Sequence, residues 1–575
     1  MDFKESIALI LSEELSNPNF DKTKVFDLLE VPPNGLGDYA FPCFLLSKEL
    51  KKSPVEISKE ISQKLTDLIS KKNLDFLEKV EPKGPYVNFF LNKSNLSNMV
   101  LDKIFNDNLI NKEEPTKIMI EYSAPNTNKP LHLGHLRNNT LGLAISNLFE
   151  AKGQNVIKSN LINDRGIHIC KSMLAYKLFG EGKTPESEKI KSDHFVGKMY
   201  ILFNEKLKED PSLEEEAQKM LVKWEEGDKE TRELWKKMNK WAIDGMKETY
   251  QEYGTKFDNY FYESEMFGEK DKLINEGLEK GVFYKADNGA ILARLPELQD
   301  KVLLRGDGTS LYATNDLILT QYKFDKFNLD QSIWVVCNEQ DLYFKQLFKI
   351  FEKLGRPWAK KCFHLSYGYV SLTTGKMKSR EGTVVDVDDL IKEIKELALT
   401  EVSNRYTALK PNEIEERAKK IALASIKFYL LKNDAKKDMI YDAKASISFD
   451  GETGPYVQYT FARSKSILRK AKKENINYIH NKFDLLKEQK EIELINELAE
   501  FTNSVEKSKD ILSLHPLCHN LIAIAQKFNS MYQEIQILKT ENKDLLNARL
   551  SLVEATCIVL KKGLEILDIE AIEEM

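Results

Sequence analysis

KIMIEYSAPNTNKPLHLGHLRNNTLGLAISNLFEAKGQNVIKSNLIND, residues 117–164, decides the fold class. KIMIEYS is an apolar run of strand length, and SAPNTNKP is crowded with turn residues. LHLGHLRNNTLGLAISNLFEAKG carries helical periodicity and stops at Gly153, a residue suited to ending a helix. NVIKSNLIND is strand-like again. Strand, helix, strand in this order predicts an α/β unit with a parallel sheet and helices on its faces.

Working outward, residues 170–255 are long, charged and helical, and interrupt the alternation. They predict a helical insertion, drawn at about 170–300. Strand-like runs return at SIWVVC and CFHLSYGYV, so the sheet is expected to be split in sequence and whole in space. From about residue 396 the chain reads as helical nearly to its end. Amphipathic stretches such as EIEERAKKIALASIKFYLLK and LLNARLSLVEATCIVLKKGLEIL predict an all-α bundle over 396–575. Upstream, residues 1–112 read as a separate α/β unit. Its helices are FKESIALILSEEL and SPVEISKEISQKLTDLISK, its strand is YVNFFL, and GLGDYAFP and EPKGPY are loops. The polar stretch INKEEPTK marks the boundary to a middle domain over 113–395.

The whole chain fits this division. Its 575 residues predict roughly three to four domains at about 150 residues each. The composition, 42% hydrophobic and 30% charged, is that of a folded globular protein. The N-terminus MDFKESIALILSEELSNP is broken early by acidic residues and reads as an amphipathic helix, not a signal peptide. No apolar run is long enough to cross a bilayer, so the expectation is a cytoplasmic protein without a membrane partner. A net charge of -5 excludes a generic DNA-coating protein but not a local basic face, and RSKSILRKAKK (463–473) is one candidate. The six cysteines are scattered, without zinc-ribbon spacing, and predict reduced thiols. His515, Cys518 and His519 could share a helix face, but read as ordinary helix residues, so no metal site is expected.

Two stretches carry chemistry. His132-Leu133-Gly134-His135 follows a strand and a turn and opens a helix. The two histidines, at i and i+3, can face the same side. The helix N-terminus suits a phosphate, and imidazoles there can donate hydrogen bonds to charge building on it. Gly134 would leave room for a purine ring. The second stretch, Lys376-Met377-Lys378-Ser379-Arg380-Glu381-Gly382-Thr383, is a basic, Gly-containing loop able to close over a triphosphate.

Their order and contexts resemble the HIGH and KMSKS signatures of class I aminoacyl-tRNA synthetases. The flanks SAPNTNKPLHLGHLRNNTLG, INDRGIHICKSM, DGTSLYATNDL, NEQDLYFKQLF, GKMKSREGTVV and TGPYVQYTFARSKSIL resemble the arginyl-tRNA synthetase family. The likeness runs from GDYAFP to LVEATCIVLKKGLEIL, nearly the whole chain.

The resemblance implies an N-terminal additional domain on the tRNA elbow, with Tyr86 and Asn88 as candidate contacts. It implies a Rossmann-like catalytic domain that makes the adenylate, and a helical anticodon-reading domain with Tyr456, Gln458, Tyr459 and Arg463. It implies ATP with Mg2+, L-arginine and tRNA(Arg) as substrates, and a monomer. ATP would meet His132, Leu133, Gly134, His135, Lys376, Met377, Lys378 and Ser379. In the family, the residues matching Glu121, Tyr312 and Asp316 line the arginine site, and those matching Asn126 and Gln340 hold its backbone end. Tyr312 and Asp316, at i and i+4, can share a helix face, and a guanidinium favours planar carboxylate partners. The chain departs from KMSKS at one place: the second lysine falls at Ser379. The family suggests that a lysine just before the first histidine compensates, here Lys129. The choice of phosphate-serving cation is open among Lys129, Lys376, Lys378 and Arg380.

Overall fold

Five parallel strands form the centre of the computed structural model, which describes residues 3–33, 35–72, 74, 76–265, 270–372, 385–405 and 409–575. Across the sheet they run Cys362–Tyr367, Gln331–Cys337, Lys117–Glu121, Asn155–Ile162, Asn259–Tyr262. Each neighbouring pair is parallel. Chain order reverses beside Lys117–Glu121: the second and third strands lie to one side, the fourth and fifth to the other. A crevice at the carboxyl ends of the strands belongs at such a switch point. Ile118, Met119 and Ile120 are all buried, as expected of a strand covered on both faces.

The helix Leu133–Ala151 crosses over from the first strand to the second and is buried on nearly all sides. It lies so close to the sheet that a Cβ on Gly142 would stand 2.2 Å from Tyr122 Cγ. The helices Pro411–Leu431 and Lys543–Ile566 pack on it from the C-terminal bundle. Its far end is tied there too. Lys152 pairs with Glu506 at 2.5 Å and with Glu113 at 3.2 Å.

The insertion is helical over Ile167–Phe179, Ser192–Glu209, Leu213–Glu225 and Lys229–Tyr253, with its own core around Met173, Phe195 and Phe203. The expected limit of about 300 needs correction. Asn259–Tyr262 rejoins the central sheet, and Phe283–Lys285, Ile291–Ala293 and Lys301–Leu304 form a small antiparallel sheet. These strands are only three or four residues long, too short for a period of two to register.

In the N-terminal unit Tyr39–Pro42, Tyr86–Leu91 and Leu77–Lys83 form an antiparallel sheet in that spatial order. Two loop expectations are thereby corrected, since AFP of GLGDYAFP and EPK of EPKGPY lie in strands. Pro42 and Pro82 suggested loops, but both stand on edge strands, where a missing N–H is tolerated.

The division drawn at 395 falls inside the helix Val387–Arg405, and Met439–Tyr441 pairs in parallel with Val370–Leu372. The passage from sheet to bundle is therefore a packed interface. Among the described residues, no helix is long and apolar enough to cross a membrane. All six cysteines are unpaired. Cys518 is buried in the bundle core, and His515 Nδ1 meets the Ser513 hydroxyl at 3.0 Å.

Candidate active site

The loop leaving the first strand is strained. Ser123 and Ala124 have φ of 76° and 46°, a conformation that costs non-glycine residues about 1–3 kcal/mol each. Side chains hold it. The Asn138 amide oxygen accepts from Ser123 N–H, and Asn160 Oδ1 accepts from Ala124 N–H at 3.1 Å. Asn163 Nδ2 donates to Ala124 O at 3.0 Å. This fixed bend carries the chain past exposed Asn126 to the helix that opens at Leu133.

His132 is that helix's N-cap. Its Nδ1 accepts from Gly134 N–H at 3.1 Å, and His135 Nδ1 accepts from His132 N–H at 3.1 Å. Two orphan donors of the first turn are thus satisfied reciprocally. The same bonds choose the tautomers: with both Nδ1 atoms accepting, each neutral ring carries its proton on Nε2. Burial, then the neighbouring Lys129, pushes His132 down to about 3. Burial, His132 and Lys129 hold His135 well below the usual imidazole range. The pair is therefore two neutral Nε2–H donors with ring centroids 3.9 Å apart. Gly134 has a nearer reason than room for a purine: a Cβ there would meet the His132 ring at 3.0 Å. Burial also pushes the Lys129 ammonium down, and Lys129 and His132 line one cavity with His194, Gly197 and Asp386.

Lys376, Met377, Lys378, Ser379 and Arg380 lie outside the described residues, but the chain that follows them is stitched to the histidine loop. Leu133 N–H donates to Val385 O at 3.2 Å and Val387 N–H to Leu131 O at 3.1 Å. The insertion grips the same place. His194 Nε2 lies 3.0 Å from Asp388 and 3.3 Å from Asp386, and Lys191 Nζ lies 2.5 Å from Asp388. Those carboxylates raise His194 to about 10, so it is charged at neutral pH. Arg137, fully buried, donates to the carbonyls of Gly368, Tyr369, Ala435 and Lys437 at 2.6–3.0 Å. One side chain thereby ties the histidine helix, the fifth strand's end and the chain leaving the bundle helix Pro411–Leu431.

The arginine-site expectations divide. Glu121 ends the first strand, Gln340 ends a short turn after the fourth, and Asp316 sits one turn into Tyr312–Phe327. All lie toward the carboxyl ends of the strands. Burial raises Asp316 to about 6 against the pull of the Tyr343 hydroxyl, which donates to it. Asn126, Tyr312 and Gln340 are exposed, Tyr312 at 69%. Glu121, also expected there, is buried and ion-paired with Lys323. The residue missed by sequence reasoning is Glu263, directly after Asn259–Tyr262. Burial raises it to about 7, Arg165 opposes, and Asp316 and Asp164 add to the rise. An acid immediately after a sheet strand, in NYFYES, was the available signal. Asp316 and Glu263 are two half-buried carboxyls raised toward neutrality chiefly by burial, with the Asp316 charge adding to the rise at Glu263, an arrangement a planar cation would relieve.

Among the expected tRNA contacts, two are turned inward. Asn88 is buried, and its amide donates to Leu36 O. Gln458 is fully buried and donates to Glu570 O at 2.7 Å. Each amide nitrogen bonds within its own fold. Tyr86 is half-buried beside Phe44, ring centroids 5.6 Å apart. Tyr456, Tyr459 and Arg463 form a half-buried group around Asn529. Arg463 donates to Tyr459 OH at 2.6 Å and to Asn529 Oδ1 at 2.7 Å, and Asn529 donates to Tyr456 OH at 3.2 Å. Farther along that helix, Lys465 and Arg469 lie beside Glu573 and Glu574 of the acidic C-terminus.

Three family models match the chain. They are the class I (R) tRNA synthetase catalytic domain over 96–443, the DALR anticodon binding domain over 457–575 and the arginyl tRNA synthetase N-terminal domain over 2–91. The arginine–tRNA ligase of Treponema denticola is 44% identical over 562 residues, covering 95% of this chain and 94% of that protein. That of Borreliella afzelii is 39% identical, covering 99% and 98%. The solved arginyl-tRNA synthetase of Thermus thermophilus superposes with a TM-score of 0.82 at 26% identity, covering 100% of this chain and 99% of that one.

Proposed function

We propose a division of labour among residues from one premise: the chain belongs to the arginyl-tRNA synthetase family and is an arginine–tRNA ligase. It activates L-arginine with ATP, releasing pyrophosphate, and passes arginine from the adenylate to the terminal adenosine of tRNA. No protein nucleophile is required. What the reaction needs is alignment of a carboxylate with the α-phosphate and stabilisation of charge on the phosphoryl oxygens.

The reading rests on the reciprocal histidine cap. Two neutral imidazoles, with tautomers fixed by backbone N–H groups, offer Nε2–H donors beside a helix N-terminus. In our reading they donate to the α-phosphate oxygens of MgATP as charge develops. Lys129, the cation both rings feel, balances the leaving pyrophosphate. Lys376, Lys378 and Arg380 are the further candidates. Asp316 and Glu263 clamp the guanidinium, Tyr312 closes over it, and Asn126 and Gln340 take the amino and carboxylate end. A buried pair of carboxylates rejects neutral side chains because its own charges would be left unpaired. Residues 1–112 would meet the tRNA elbow through Tyr86, and the C-terminal bundle would read the anticodon through Tyr456, Tyr459 and Arg463. A cytoplasmic monomer is the matching assembly.

The test is arginine-dependent ATP–pyrophosphate exchange, with and without tRNA(Arg). Asp316→Ala should raise the arginine KM steeply, since removing one partner of such a charge pair costs about 2–5 kcal/mol. The ATP KM should stay near its wild-type value. An unchanged arginine KM would remove Asp316 from the pocket.

A further inference from the structure

We propose that the insertion helix Ser192–Glu209 seats Lys129 for the reaction: Gly197 bears on the turn that carries Lys129, and His194 anchors the helix in that place. Both are positioning residues and touch no substrate. The inference rests on the reading of Lys129 given above and adds the parts that hold it.

Gly197 is buried and follows His194 by about one helical turn, so the two share a face. It packs where no side chain fits. A Cβ there would stand 2.7 Å from Pro130 Cδ and 3.7 Å from Lys129 Cα. The proline ring cannot swing aside, because it is closed onto its own backbone. This contact therefore sets where the Lys129 stem begins. The anchor at His194 is ionic. Asp386 stands opposite His132 in a β-bridge. One of its carboxylate oxygens faces His194 at 3.3 Å, and the other accepts from Asp388 N–H at 2.8 Å. Asp388 in turn receives His194, the Lys191 ammonium at 2.5 Å and the Thr249 hydroxyl at 2.8 Å. Through Thr249 the second insertion helix, Lys229–Tyr253, joins the anchor.

The helix thus meets the histidine loop in two ways, through ions at Asp386 and Asp388 and through bare backbone at Pro130. The consequence is catalytic because Lys129 acts on charge that develops in the transition state. Moving such a group by about 1 Å can cost about 100-fold in rate. A helix that only stabilised the fold would lower the melting temperature, and its effect on rate would not depend on Lys129.

The experiment uses the full chain with Gly197→Ala, His194→Gln and His194→Arg, each made alone and together with Lys129→Ala. Pyrophosphate exchange with tRNA present gives kcat and the KM for arginine and ATP, and thermal melting reports folding. Gly197→Ala and His194→Gln should each lower kcat about tenfold or more, with both KM values within about threefold. His194→Arg keeps a cation for the two carboxylates and should stay within about threefold of wild type. In the Lys129→Ala background the first two changes should cost no more than about twofold, because the group they position is gone. Equal losses in the two backgrounds, or a normal kcat in either variant, would overturn the proposal. So would a His194→Arg enzyme as slow as His194→Gln. If Gly197→Ala does not fold, His194→Gln decides by the same comparison. Failure of the Lys129 reading shows separately, as a Lys129→Ala enzyme with near-normal kcat.

Discussion

Lowering the pH from about 8 to about 6 should weaken arginine binding by ~20-fold and leave ATP binding nearly unchanged. Glu263 and Asp316 stand at about 7 and about 6 in the empty pocket. A guanidinium binds the ionised carboxylates and draws both values down. Affinity is therefore fully present above the empty-site values and lost as pH falls through them. At pH 6 the group at about 7 is mostly protonated and costs ~10-fold, while the group at about 6 is half-protonated and costs ~2-fold. Their product is ~20-fold, about 1.8 kcal/mol. The histidine pair does not cloud the window, because His132 at about 3 stays neutral throughout. The assay is arginine KM by pyrophosphate exchange across this range, with ATP KM as the control. Glu263→Gln should remove most of the slope and leave the ~2-fold contribution of Asp316. An arginine KM that is flat, or lower at pH 6, would refute the reasoning.

Lys129→Ala should slow arginine activation by ~100-fold or more with the arginine KM within about threefold, the signature of a contact made in the transition state; near-normal kcat would return the phosphate role to the 376–380 loop. Gly134→Ala should displace the His132 ring and cost about 1 kcal/mol of cap stability, with a fall in kcat that exceeds any change in arginine KM. Arg137→Met should lower the melting temperature markedly, because the carbonyls of Gly368 and Ala435 lose a buried donor and those of Tyr369 and Lys437 a part-buried one, at about 1 kcal/mol each for the buried pair; unaltered melting would show that they find other partners. Tyr459→Ala should raise the tRNA KM by roughly 5- to 150-fold if the ring stacks on a base, whereas a collapse in melting temperature with unaltered tRNA KM would assign it to the bundle core.

The sheet was legible where its strands are long. KIMIE and NVIKSNLI, five and eight residues long, are rich in Ile, Val, Leu and Met, and the helix between them opens on His132 and stops before Gly153. The edge strand Asn259–Tyr262 was not, because four residues after a long helix leave no pattern to detect. At the site, spacing brought His132 and His135 to one side of the helix start. It could not show that the rings bond to the backbone and so fix each other's protons. Glu121 was placed at the pocket by the family resemblance alone. Its partner Lys323 lies 202 residues away, a separation at which no local pattern pairs charges. The burial of Asn88 and Gln458 was hidden for a related reason: an amide reads alike in sequence whether it faces solvent or a carbonyl of its own fold.

The split sheet has a further consequence, for the order in which the chain can fold as it is made. Lys117–Glu121 finds its first neighbour soon, at Asn155–Ile162. The neighbour on its other side, Gln331–Cys337, is synthesised roughly 200 residues later, a separation that makes pairing slow. Until then the first strand presents an unpaired apolar edge, the kind of surface that seeks strands from other chains. The buried helix Leu133–Ala151 waits longer still, for Pro411–Leu431 and Lys543–Ile566 to cover it. The N-terminal sheet, complete by Leu91, pairs only within itself and can form first, whereas the helix Lys93–Phe105 after it packs on Gln489–Asp510 and Lys543–Ile566 and waits for the bundle. Ribosome-bound chains halted just before residue 331 should therefore be far more prone to association than chains halted near residue 115 or released in full.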